Sequence, residues 1–324
     1  MRPNPFWKNC VTFFVFTAVV MLLSSANSVA QTFTTARPDD SALQWTLDIP
    51  DSAMKGVGLV VLMQGSGCLS VDHSTNLAQV RSIFSDYAAL TVEKYGVNPG
   101  DDNEDCSAKY HANNSISQRI ADYLQIIEAL RSSDWWNAEL VLIGGSEGGD
   151  VAAALAEPTH ADAVVLISTG GGVTFGQMVR DSIMDTMHRH SVPEAEWPPV
   201  DAAFAYAREH PESSEIWGGS SYFYWADAID RRPADNMLKA NSAFLLLHGS
   251  LDISSAVQSA RMTADMFTDA KRCNLTYVEF SSYDHSMVDA DGKLRMSDVL
   301  NLARNWVDQQ LSRDNTAPCM QAPE

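Results

Sequence analysis

The sequence predicts an α/β protein, a mostly parallel sheet flanked by helices and interrupted once by a helical insertion. Three observations carry this. Short apolar runs alternate with segments of helical period along most of the chain. One such run leads straight into Gly144-Gly145-Ser146-Glu147-Gly148, with a helical pattern behind it. More than seventy residues between Ser168 and Ala243 carry no convincing strand pattern.

Taken in order, Leu43 to Ile49 alternates and predicts an antiparallel edge strand. Gly58 to Met63 is an apolar run closing on Gly65, the pattern of a strand buried on both faces. Leu77, Val80, Phe84 and Tyr87 follow at helical spacing, and Ala89 to Val92 gives the next strand. Ser115 begins a helix with Gln118 three residues on, a capping-box pattern, and Ile116, Ile120, Tyr123, Leu124, Ile127 and Leu130 share one face. Leu140 to Ile143, Val164 to Ile167, Phe244 to Leu247 and Leu275 to Phe280 complete the strands. Helices are expected over Val151 to Ala156, Ala256 to Phe267 and Ser297 to Leu311.

The interrupting segment, about 171–240, is rich in Trp, Tyr, Phe and Met, among them Trp197, Phe204, Trp217, Tyr224 and Trp225. A connection of that length inside one domain folds on its own or serves function. It reads as a mostly helical cap over the C-terminal edge of the sheet. For any single aromatic the simpler role is packing.

The first thirty residues form a separate unit. Arg2 and Lys8 precede an uncharged apolar run of 13 residues, Val11 to Leu23, and Ser28-Val29-Ala30 offers small residues for cleavage before Gln31. That is a secretory signal layout, too short for a spanning helix. The expected location is secreted or periplasmic, with no stable membrane insertion after signal removal. Loss of Arg2 and Lys8 with no acid moves the formal net charge from −19 to −21. Such a chain does not gather the Lys and Arg that nucleic acid requires, and no nucleic-acid partner is expected. The mature cysteines Cys68, Cys106, Cys273 and Cys319 form no CxxC pair and suit disulfides; neither metal nor cofactor is expected.

A serine between a strand and a helix, flanked by glycines, sits on a turn sharp enough to lift its hydroxyl above the sheet. A hydroxyl nucleophile needs a base, and the base an orienting acid. Asp252 lies in the loop after the strand ending at Leu247, and His285 in the loop after Phe280, both at the sheet edge that carries Ser146. His248, at a strand end, reads as support for the acid loop. Asp284 adjoins His285 too closely in sequence for good geometry. His188 and His190 fall in the cap, and His73, His111, His160 and His210 lie outside the expected base loop. The oxyanion would be held by the backbone N–H of Glu147, at the helix start, and that of Ser66 in Gln64-Gly65-Ser66-Gly67-Cys68, preferred over Gly65.

Gly144-Gly145-Ser146-Glu147-Gly148-Gly149, His248-Gly249-x-x-Asp252 and Asp284-His285 resemble the α/β-hydrolase superfamily. The likeness is to its dienelactone-hydrolase, acyl-thioesterase and prolyl-oligopeptidase-like branch, and it covers residues 40–312. The resemblance implies an eight-stranded, mostly parallel sheet and a metal-free Ser-His-Asp mechanism. The family's oxyanion loop commonly begins His-Gly, whereas this one begins Gln64-Gly65. In that fold Cys68 and Cys106 fall at the C-terminal edge, and Cys273 and Cys319 at the opposite one, implying the bridges Cys68–Cys106 and Cys273–Cys319.

The expected activity is hydrolysis of a carboxylic ester-like small molecule, with an apolar or aromatic portion met by the cap. Peptidase and thioesterase activities are the alternatives within enzymes. A catalytically silent binding protein is the alternative outside them.

Overall fold

The computed structural model describes residues 30–312 except 52, 54, 55, 103 and 104. The expected signal segment, apart from Ala30, and Cys319 lie outside the described residues. The eight strands of the central sheet are β1 (Gln31–Ala36), β2 (Ala42–Asp48), β3 (Val57–Met63), β4 (Ala88–Val92), β5 (Trp136–Gly145), β6 (Ala163–Ile167), β7 (Ala243–Gly249) and β8 (Leu275–Phe280). Their order is β1-β2-β4-β3-β5-β6-β7-β8. Strand β2 runs antiparallel to both β1 and β4, and every other pairing is parallel.

Why the central strands read as unbroken apolar runs is visible in their alternation. Leu59, Val61 and Met63 of β3 enter one core, with Leu140, Leu142, Val164, Leu166, Phe244 and Leu246. Their neighbours Val60, Leu62, Val141, Ile143, Val165, Ile167, Leu245 and Leu247 enter the other. Period-two geometry gives each face one residue in two, so a sheet covered on both sides needs apolar residues throughout. On the first face lie α3 (Ile116–Leu130) and α4 (Glu147–Thr159); on the second, α1 (Thr75–Ile83) and α10 (Met296–Leu311).

Sequence reading and structure part in three places. Strand β2 is not the edge, because β1 pairs outside it. The hexapeptide of β1, Gln-Thr-Phe-Thr-Thr-Ala, contains one large apolar residue and is mostly exposed, so it lacks the hydrophobic signal of a strand. Strand β5 begins at Trp136, four residues before its buried half. Ser115 does cap α3, its hydroxyl accepting from the Gln118 N–H at 3.0 Å. The Gln118 side chain, however, donates to Asp122, which already binds the buried Arg37.

The insertion between β6 and β7 contains α5 (Phe175–Arg189), α6 (Val200–Glu209), α7 (Tyr222–Ala228) and α8 (Pro233–Met237). A two-stranded hairpin, Ile216–Trp217 with Ser220–Ser221, precedes α7. Its aromatics pack on one another and on the first core: Phe175, Phe204, Trp217, Tyr224 and Trp225 form a run of edge-on and tilted ring contacts. The packing role outweighs a ligand role for these rings. Among the described residues no helix is long and apolar enough to cross a membrane.

Candidate active site

The structure brings Ser146, Asp252 and His285 together. Ser146 ends β5 and caps α4 with φ 52° and ψ −128°, a left-sided conformation that a residue other than glycine holds only when its surroundings impose it. The surroundings do so by close approach. A Cβ on Gly144 would collide with the Gly148 carbonyl, and one on Gly148 with the Met63 carbonyl. Glycines at both positions let strand, turn and helix interpenetrate.

His285 stands between the other two. Its Nε2 lies 3.2 Å from Ser146 Oγ and its Nδ1 2.8 Å from Asp252 Oδ2. Asp252 is buried, and its Oδ1 accepts the N–H groups of Ser254 and Ser255 at 2.9 and 2.8 Å, so the turn after β7 aims the other oxygen at His285. His248 occupies the supporting place read from the sequence. It is fully buried, with Nε2 2.7 Å from the Ser255 carbonyl and 3.3 Å from Asp252 Oδ2. Burial lowers its pKa and favours a neutral ring. Asp284 does not face the His285 ring; its Oδ1 accepts the N–H groups of Ser286 and Val288 and shapes the loop. His188, His190 and His210 lie in the cap, where His188 packs on Trp197 and His210 on Tyr206.

The loop after β3 is held by its carbonyls. Lys94, nearly fully buried at the end of β4, donates through Nζ to the carbonyls of Gly65 and Gly67. Arg119 of α3 donates to the Gln64 carbonyl, and the Tyr110 hydroxyl to that of Gly67. In a trans peptide the N–H points opposite to the C=O. Anchoring the Gly65 carbonyl on Lys94 therefore turns the Ser66 N–H to the other side. A Cβ added to Gly65 would lie 3.5 Å from that of Ser146, while Ser66 is exposed. The Cys68–Cys106 disulfide closes the far end of the same loop, as the family resemblance implied, with Cα atoms 5.4 Å apart. Cys273 is disulfide-bonded, and its expected partner Cys319 lies outside the described residues.

Sequence reading placed Glu147 here for its backbone and missed its side chain. The Glu147 carboxylate is buried beneath the turn, paired with Arg119 and accepting from the Tyr224 hydroxyl of the cap at 2.7 Å. Burial pushes its pKa up, but Arg119, Lys94 and the hydrogen bonds outweigh that and hold it below the usual carboxylate range. Ser168 was missed as well; its hydroxyl donates to the His285 carbonyl at 2.8 Å. The available signal was charge directly after an apolar strand, as in Glu93-Lys94 after β4, which a buried sheet end tolerates only with partners.

Lys94 gives a pH prediction. Burial, then repulsion from Arg119, brings its pKa down from 10.5 to about 7. A lowered folded-state value means the unfolded chain binds the proton more readily between pH 7 and 10.5. This group therefore adds stability as pH rises through that window and subtracts it as pH falls. Urea unfolding of wild type and Lys94→Met at pH 7 and pH 9 tests this. The variant is expected to lose part of the pH dependence, and an identical slope would contradict the assignment.

A cavity of about 180 Å³ opens beside Ser146 and His285. Its walls come from β3, β5, β6, α1, α10 and the His285 loop, and no residue of α5–α8 lines it. The cap is thus not a wall of this cavity. Among the described residues no cluster of three or more His, Cys, Asp or Glu is arranged to hold a metal ion.

No family model and no curated protein matches the sequence. Solved structures do. Est1E from Butyrivibrio proteoclasticus superposes with a TM-score of 0.58 at 14% identity, over 88% of this chain and 99% of that one. An α/β hydrolase from Penicillium sp. gives 0.57 at 12% identity, over 88% and 100%. The chain has the α/β-hydrolase fold. A puromycin-hydrolyzing peptidase from Mycobacterium tuberculosis shares that fold with a TM-score of 0.61 at 14% identity, over 89% of this chain but 40% of its own length. The order of the eight strands and the strand–turn–helix at Ser146 are the parts of the α/β-hydrolase fold that place a nucleophile above the sheet.

Proposed function

We propose that the protein is an exported serine hydrolase acting on carboxylic esters, with Ser146 as nucleophile, His285 as general base and Asp252 as its orienting acid. The observation that carries this is the unbroken chain from Asp252 Oδ2 through His285 to Ser146 Oγ, at 2.8 and 3.2 Å. Both distances are within the reach proton transfer requires.

His285 Nε2 takes the Ser146 proton as Oγ bonds to the ester carbonyl carbon. The backbone N–H groups of Glu147 and Ser66 receive the charge that develops on the carbonyl oxygen, Glu147 from the N-terminus of α4. Collapse of the intermediate breaks the carbon–alkoxy bond, and the proton on His285 passes to the departing alcohol. Water, deprotonated by His285, then attacks the acyl-enzyme and releases the acid. Asp252 holds the Nδ1–H tautomer and balances the imidazolium formed in each half.

Ester hydrolysis is favoured over peptide hydrolysis by extent. The chain matches Est1E, a protein also seen with ferulic acid bound, over nearly that protein's whole length, but only 40% of the M. tuberculosis peptidase. The Cys68–Cys106 bridge suits an oxidising compartment and supports export through the segment 1–30. A fluorophosphonate probe is expected to label the folded protein and spare Ser146→Ala. Equal labelling of both, or of neither, would overturn the reading and leave a binding protein on the same fold.

A further inference from the structure

We propose that the cavity between α1 and α10 is the acyl-binding site, taking compact apolar acyl groups of about six non-hydrogen atoms. The proposal rests on the hydrolase reading of Ser146 and adds what that reading leaves open, the part of the substrate that is selected.

Three properties of the cavity support it. It is contiguous with Ser146 and His285, so a group seated in it lies within bonding reach of the nucleophile. Its depth is apolar: Leu77 and Val80 from α1, Met296 and Leu300 from α10, Ile143 and Ile167 from the strands, all buried. The polar part of the lining is small: Asn76 and Ser286 are exposed, Gln64 and Ser74 are half-buried, and the hydroxyl of the buried Ser168 is committed to the His285 carbonyl. A hydrocarbon body with its carbonyl held at Ser146 matches that lining.

The volume sets the size. About 180 Å³ slightly exceeds the roughly 150 Å³ of an apolar cavity that accepts benzene. A hexanoyl or benzoyl group fills a space of that size, and a longer acyl group extends beyond it. The covalent course of the reaction decides which half of the ester enters. The acyl carbon stays bonded to Ser146 until water arrives, so its chain can stay seated in the cavity through both halves of the reaction. The alcohol must leave after one proton transfer and suits the open side.

Each methylene moved from water into such walls is worth about fourfold in kcat/KM. With p-nitrophenyl esters, kcat/KM is therefore expected to rise by about that factor per methylene from acetate to hexanoate and to stop rising or fall by dodecanoate. Val80→Phe shortens the cavity, and Asn76→Trp, at an exposed position that spares the core, narrows its mouth. Both are expected to lower the hexanoate-to-acetate ratio at least about tenfold. A second series holds the acyl group at hexanoyl and varies the alcohol, where weak dependence is expected. Fluorophosphonate labelling of each variant reports an intact Ser146. Labelled variants with an unchanged ratio, or selectivity that follows the alcohol, would overturn the acyl assignment alone. Absence of labelling in wild type would remove the hydrolase reading and this proposal with it.

Discussion

Ser146→Ala is expected to lower kcat on the best ester by about 10⁴- to 10⁶-fold, with KM and thermal stability little changed. The substitution removes one oxygen from a position already held at φ 52°, a strain Ala bears as Ser does, so the fold is not asked to adjust. His285→Ala should cost as much, because an alcohol without its base is a poor nucleophile at neutral pH, and the double variant should be no worse than either single one. Asp252→Asn is expected to lose about 10⁴-fold for a different reason. Its Oδ2 faces His285 Nδ1 at 2.8 Å and His248 Nε2 at 3.3 Å, and an amide NH₂ there would meet a donor and force the wrong imidazole tautomer. Steady-state kinetics on the four variants, with circular dichroism as a fold control, decide the matter. A Ser146→Ala enzyme within tenfold of wild type would remove Ser146 from the mechanism.

Arg119→Met is expected to cost about 3–5 kcal/mol of stability, the largest effect expected from any residue that does not touch the substrate. Arg119 is 3% exposed and neutralises Glu147, which is 5% exposed. Removing one partner leaves the other an uncompensated buried charge, and the Gln64 carbonyl loses its donor as well. Glu147 answers by taking up a proton, so its carboxyl loses the depression that Arg119 provides. The sign follows. In wild type a depressed carboxylate contributes stability above its unfolded pKa of 4.5, lost as pH falls through the lower folded value; in the variant that contribution is gone and the acid limb moves up in pH. Urea denaturation from pH 3 to pH 8 reads both the loss and the shift. A variant within about 1 kcal/mol of wild type would mean the pair is replaceable by packing. Because the same residues pin the turn and the loop, kcat should fall while KM holds.

How much of this was legible in the chain follows from how local each signal is. The five central strands, β3 to β7, and the helices over α1, α3, α4, α9 (Val257–Asp269) and α10 show in apolar period, because residues buried on both faces of a sheet leave no room for polar ones; β8, at the edge and only half-buried, shows through Leu275, Val278 and Phe280. The grouping of Ser146, Asp252 and His285 is legible because each follows a strand and all parallel strands end at one edge; Asp252 and His285 are 33 residues apart yet 2.8 Å apart in space. Strand β1 was not legible, since an exposed edge strand needs hydrogen bonds and not hydrophobicity. Lys94, Arg119, the Glu147 carboxylate and Tyr224 were not, since a buried polar group announces itself only through its partners, and these come from β4, α3, α4 and α7.

By itself the sequence determined the alternation that builds a parallel sheet, the glycines that permit the turn at Ser146, and the order in which Ser146, Asp252 and His285 follow their strands. These depend on period, backbone sterics and chain direction, all local properties. Only the tertiary structure decided that Phe175, Phe204, Trp217, Tyr224 and Trp225 of the insertion are spent on packing, that the cavity at Ser146 lies between α1 and α10, and that the buried Lys94 and Arg119 hold the carbonyls of the loop after β3. Those are matters of which faces meet. A side chain's period shows that it is buried, and not against what.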